Sequence, residues 1–163
     1  MSKKSELQFS LFVSFIEQMN TGFNTHGFNN SAGVLAQSLL RDNRLLLDEE
    51  FSDLLIKRTS EVLSELVQKR DKTLPHFITI FQLSFGCIDS TSFDNFKEKC
   101  WQYSTAMRGY SAMQTFIRNN TSSIASITGK PEEYIIKLAD FLDAQSGYCT
   151  IRLIKTQLIA AAD

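Results

Sequence analysis

The sequence predicts an all-α bundle of about six or seven helices, forming a single domain over residues 1–163. Three observations carry that expectation. Apolar residues recur at intervals of three and four along most of the chain. Only two prolines and seven glycines punctuate the pattern. Just two runs, 76–86 and 148–154, are rich in the β-branched and aromatic types that suit strands. If both were strands the fold would be α+β, but a lone strand has no pairing partner, so helices are expected there too. A chain of 163 residues is long enough to bury a core without disulfides or a metal.

The first helix is expected over about Glu6–Met19, with Phe12, Phe15, Ile16 and Met19 on one face and Phe9 a turn earlier. Gly22 and the Asn-rich run 24–30 then break it, and Asn30 or Ser31 can cap a short helix through Leu40. A further helix runs from Asp48-Glu49-Glu50, where carboxylates suit the positive end of the helix dipole, to Lys69-Arg70 at the negative end. Its apolar stripe of Phe51, Leu54, Leu55, Val62 and Leu66 is widened by Ile56, Leu63 and Val67, as a helix pressed between several neighbours requires. Pro75 fits the first turn of the next helix and Gly86 its end. That segment is apolar on all sides and is expected to be central. Thr91 and Asp94 have capping-box spacing for a helix from Ser92 to about Tyr103 that buries Phe93, Phe96, Cys100 and Trp101. Helical spacing continues past Gly109 to Arg118. Beyond it are predicted a short helix at 124–128, a turn at Gly129, a helix from Pro131 to about Ala144 with Phe141 on its core side, and a last helix from about Tyr148 to Ala161.

Charge and composition exclude more than they identify. Seventeen basic and eighteen acidic side chains leave a net charge of −1 and a pI near 6.1. The charge is evenly spread, with nine basic and ten acidic side chains in residues 1–81 and eight of each in residues 82–163. Broad binding to nucleic acid needs a basic face, because phosphate neutralisation supplies most of its affinity. No run reaches the ~18 apolar residues of a membrane span. The apolar start, Leu7–Ile16, is interrupted by Gln8, Ser10 and Ser14, so a helix of the folded protein is expected there rather than a signal peptide. Cys87, Cys100 and Cys149 have no metal-site spacing and read as free thiols of a cytoplasmic protein.

Candidate chemistry is sparse. The two histidines, His26 and His76, have no metal-binding or catalytic motif around them, and the sequence holds no nucleophile elbow, P-loop or dinucleotide fingerprint. A Cys–His pair of His76 with Cys87 or Cys100 would have to be assembled by folding. The acidic pairs Glu49-Glu50 and Glu132-Glu133 are explained by helix dipoles without acid–base work. No enzyme, cofactor or metal is expected.

The most specific local pattern is residues 124–138, IASITGKPEEYIIKL, which resembles the core of a helix-turn-helix unit: Ala125 at a close crossing, Gly129 in the turn, Ile135 and Leu138 on the buried side. The resemblance implies a DNA-binding regulator using residues 124–143, with Ser126, Lys130 and Lys137 as contacts. Glu132 and Glu133 at the start of the reading helix oppose it, since phosphates repel them. An ordinary helical hairpin needs the same small residue, glycine and apolar face.

The thirteen phenylalanines give a third lead. Most fall at core spacing, but Phe23 and Phe28 flank His26 in a Gly/Asn loop, where rings either anchor the loop or face a partner. A neutral, motif-poor helical domain with surplus aromatics fits a protein–protein interface. The expected role is therefore non-enzymatic: a small regulator, inhibitor, adaptor or complex subunit that binds another protein or a second copy of itself. Phe23, His26 and Phe28 are its candidate interaction loop.

Overall fold

The computed structural model describes residues 6–14, 16–17 and 49–162. Among them the chain is an all-α bundle without strands: α1 (residues 6–17, apart from residue 15), α2 (Glu49–Gln68), α3 (Leu74–Ser90), α4 (Phe96–Asn119), α5 (Thr121–Thr128) and α6 (Glu132–Ala162). The expected loop of Phe23, His26 and Phe28, and the helix proposed through Leu40, lie outside the described residues.

Helix α3 is central because it is apolar on two sides. Leu74, Ile78, Phe81, Phe85 and Ile88 form one buried line at four-three spacing, and Ile80, Ser84 and Cys87 form a second. The strand alternative for 76–86 fails for this reason: a segment with two buried faces is satisfied as a helix, whose backbone bonds are all internal. Gly86 does not end the helix, which continues to Ser90, where the Thr91 hydroxyl donates to Cys87 O at 2.7 Å. With Thr91 so engaged, the cap of α4 moves on to Asn95. Its side chain accepts from Glu98 N at 2.8 Å, and Glu98 Oε1 accepts from Asn95 Nδ2, a reciprocal cap that replaces the capping box expected at Thr91 and Asp94.

Helix α4 touches α2, α3, α5 and α6, the last most extensively. Gly109, where the sequence pattern weakens, lies inside a continuous helix. A Cβ there would fall 2.1 Å from Cε1 of Phe85, whose ring is fully buried. The glycine is thus required by the close passage of α3. The Gln102 amide, buried on the same helix, donates to Ile88 O at 2.8 Å and to Thr91 O, so α4 supplies partners to the last carbonyls of α3.

Helix α2 packs on α4 through a stacked Phe51–Trp101 pair, 6.3 Å between centroids, and through buried Ser52 and Thr105, whose hydroxyls share a hydrogen bond. Phe12 of α1 meets Phe51 edge-on at 5.8 Å, and Ile16 is buried with it. The predicted apolar face of the first helix is therefore inward at Phe12 and Ile16; Phe15 and Met19 lie outside the described residues. Arg108 ties α4 to Asp53 and Glu49 at 2.6 and 3.3 Å. Trp101 and Phe93 are buried as expected, whereas Phe96 and Phe141 are half exposed, a correction to the predicted core.

The chain end also differs from expectation. In place of two helices broken near Gly147, with 148–154 a possible strand, α6 is one helix of 31 residues. A helical glycine costs about 1 kcal/mol relative to alanine, less than the burial of Ile135, Ala139, Leu142, Ser146 and Cys149 on both sides of it contributes.

Gly109 and Gly147 make opposite predictions. Gly109→Ala should lower the unfolding free energy by about 2 kcal/mol, because the overpacking term exceeds the ~1 kcal/mol gained in helix propensity. Gly147→Ala, with nothing within 4 Å of the added Cβ, should raise it by about 0.5–1 kcal/mol. Urea titration followed by circular dichroism reads both.

Candidate protein-interaction surface

Helix α6 begins where Gly129, at φ 71°, closes α5 in the left-handed region, its N–H bonded to Ala125 O at 2.9 Å. Pro131 follows, and Glu132 and Glu133 occupy the first turn. Ile124, Ala125, Ile127 and Ile135 are buried and Leu138 half-buried, so the crossing and buried-side positions of the 124–138 pattern face the core, whereas Tyr134 and Ile136 are exposed. The predicted contact residues, however, are engaged within the chain. Ser126 Oγ accepts from Arg70 Nη2 at 2.6 Å, Lys130 Nζ lies 5.5 Å from the centre of the Tyr134 ring, and Lys137 pairs with Glu133 at 3.5 Å.

The remaining cations do not complete a basic face. Lys72 Nζ donates to Ile127 O at 3.3 Å, satisfying a carbonyl at the negative end of α5. Arg118 is held between Asp140 and Asp143 at 2.9 and 3.8 Å, and Arg152 by Asp89 at 2.8 Å. Exposed pairs of this kind add little stability, but each leaves a carboxylate beside its cation. The local field near α5 and α6 is mixed in sign.

What the fold does gather is apolar. Of eleven large hydrophobic side chains that remain exposed among the described residues, eight lie on α6: Tyr134, Ile136, Phe141, Tyr148, Ile151, Ile154, Leu158 and Ile159. The inner side of α6 is spent on α4, where Ser146 Oγ donates to Met107 O at 3.1 Å and Ile135, Ala139, Leu142 and Cys149 are buried. Positions 141, 144, 148, 151, 155 and 158 run along the other side at alternating steps of three and four, the spacing of a coiled-coil seam. They span about 26 Å of helix at 1.5 Å per residue. Leu158 and Ile159 keep 64% and 67% of their surface in water.

Apolar spacing in the sequence puts Phe141 on the core side of a helix, whereas in the fold it is half exposed, and Phe23 and Phe28 lie outside the described residues. The seam follows from the sequence only when 131–161 forms one helix, since two helices broken near Gly147 do not share a face.

Other concave regions are open grooves. One of about 630 Å³ lies between α2, α4 and α6 beside Arg108, Ser111, Ser146 and Thr150; another of about 620 Å³ is lined by Phe96, Cys100, Trp101 and Leu153. His76 is exposed at the start of α3, and Cys87, eleven residues on, lies about 16 Å further along the same helix. The structure does not bring that pair together. Burial pushes the Cys87 thiol up to about 12, and burial followed by the negative charge of Asp89 does the same for Cys149. Both thiols stay protonated near neutrality and are poor nucleophiles. Among the described residues no three His, Cys, Asp or Glu side chains gather as metal ligands, and no helix is long and apolar enough to cross a membrane.

Comparisons of the chain with protein families, with curated proteins and with solved structures found no match.

At pH 8 iodoacetamide should alkylate the partly exposed Cys100 faster than the buried Cys87 and Cys149, by about tenfold or more. A time course of peptide mass spectra on native protein measures the order.

Proposed function

We propose that this protein works by non-covalent association with another protein or with a second copy of itself, as a regulator, inhibitor, adaptor or subunit, and that the outward face of α6 is its binding surface. One observation carries the reading: the seam from Phe141 to Leu158, continued by Ile154 and Ile159, keeps large apolar side chains in water on a helix already satisfied on its inner side. Contiguous exposed apolar surface of a few hundred Å² marks interaction sites, and a helix face with anchors at three-four spacing is a common way of presenting one. Three free cysteines fit a reducing compartment such as the cytoplasm.

A nucleic-acid role through Ser126, Lys130 and Lys137 is less well supported, because those side chains have internal partners and Glu132 and Glu133 stand at the start of α6.

Capture from native lysate should be compared between the wild type and an Ile151→Lys/Leu158→Lys variant, each with and without nuclease. Proteins retained by the wild type, lost by the variant and indifferent to nuclease are the expected outcome. Equal retention by the two overturns the assignment of the surface, and retention abolished by nuclease overturns protein binding in favour of nucleic acid. Circular dichroism should be unchanged in the variant, since both side chains are at least half exposed.

A further inference from the structure

We infer that the occupant of the α6 face is a second copy of the same chain, docked antiparallel about a twofold axis that passes between Cys149 and Thr150. The inference rests on the reading of that face as a binding surface and adds its partner and its geometry.

The seam is complementary to itself when reversed. In an antiparallel helix pair, positions of the two seam types face each other across the twofold axis. With the axis between residues 149 and 150, Phe141 meets Leu158 of the second copy, Tyr148 meets Ile151, and Ala144 meets Lys155. Two large apolar layers repeat on each side of the axis. The one polar seam residue falls against the smallest side chain, leaving room for the lysine stem to lie over Ala144. Beside the seam, the same alignment sets Gly147 near Ile154 of the second copy, again small against large.

Charge supports the reversal. Among the described residues Lys155 has no carboxylate partner, whereas Asp140, one turn before Ala144, and Asp143 share the single cation Arg118. Antiparallel docking carries Lys155 to this acidic end of the second copy, twice over by symmetry. A parallel pair in register would instead set Lys155 against Lys155, where like charges repel. The fixed opposition of Asp140 and Asp143 at one end to Lys155 at the other thus selects the orientation.

Area is adequate. Phe141, Tyr148, Ile151 and Leu158 in the seam and Ile154 and Ile159 beside it are 48% to 67% exposed, so roughly 100 Å² of each large side chain remains to be covered. Six such positions on each of two copies remove on the order of 1,200 Å² from water, the lower end of the range for stable interfaces. The dimer is accordingly expected to exchange with monomer at micromolar concentrations.

Sedimentation equilibrium of the full chain from about 1 to 300 µM tests the inference, with circular dichroism confirming that each variant is folded. A reversible monomer–dimer equilibrium is expected. Ile151→Glu should weaken it at least tenfold, Lys155→Glu should weaken it by severalfold, and Asp140→Lys on the Lys155→Glu background should restore it by recreating the opposite-sign contact. A wild type that stays monomeric throughout overturns the second copy as occupant. The α6 surface would then stand or fall on the capture comparison alone. A dimer indifferent to Ile151→Glu overturns the seam, and a failure of the charge exchange to restore association overturns the antiparallel register.

Discussion

The bundle depends on how closely α3 passes α4. The buried ring of Phe85 lies where a Cβ on residue 109 would be, with 2.1 Å between them, so only glycine allows the two helices their separation. At that separation the Gln102 amide reaches the terminal carbonyls of α3, and the Tyr110 ring tilts against Phe85 at 6.1 Å. Burial, and then the charge of Asp89, holds the Tyr110 hydroxyl above its usual range. Buried carbonyls left without donors would each cost about 1–3 kcal/mol. The close approach therefore supports the end of α3 as well as the apolar core beside it.

Once α3 and α4 are so placed, the course of α6 follows. Its inner positions carry the small Ala139, Ser146 and Cys149 together with Ile135 and Leu142, which lets the helix lie along α4 through most of its length. Asp89, at the end of α3, accepts from Arg152 at 2.8 Å and fixes the helix beyond its last buried residue, Cys149. The turn between α2 and α3 acts at the other end. Arg70, itself at positive φ, and Lys72 reach Ser126 and Ile127 and hold α5 in position ahead of α6.

Helix existence was legible from apolar spacing, and α2 was legible to within two residues of its ends because its first-turn carboxylates and apolar stripe agree, although Lys69 and Arg70 follow its last residue, Gln68. The helix breaks expected at Gly86 and between Ala144 and Tyr148 share one cause: local propensity disfavours a helical glycine by about 1 kcal/mol, while Gly86 and Gly147, like Gly109, lie inside helices held by tertiary packing. The start of α4 differs for another reason, the Thr91 hydroxyl being engaged with Cys87 O. The phenylalanine excess was legible only in part. Phe12, Phe51, Phe81, Phe85 and Phe93 are core, but Phe96 and Phe141 occupy helical positions whose inward neighbours, Trp101 and Leu142, take the buried place. Periodicity gives the width of an apolar face without saying which edge meets a neighbour. A helix such as α6, apolar on two sides, gives no single face to find.

That second side is not explained by the stability of α6 itself. An exposed helix position that only has to be helical is best filled by Ala, Glu, Lys, Gln or Arg, while isoleucine loses side-chain freedom there. Yet Ile151, Ile154 and Ile159 all stand on the exposed part of α6 with Tyr148 and Leu158. Scattered apolar residues on a protein surface need no special cause, and Leu7 and Leu11 on α1 belong to that class. Five within twelve residues of one helix, beside a buried face that already anchors it, form a continuous apolar surface. Their hydration is a standing free-energy cost, relieved only when another apolar surface covers them. The proposed association would relieve that cost: the inner side of α6 builds the fold, and the outer side keeps its large apolar residues in water.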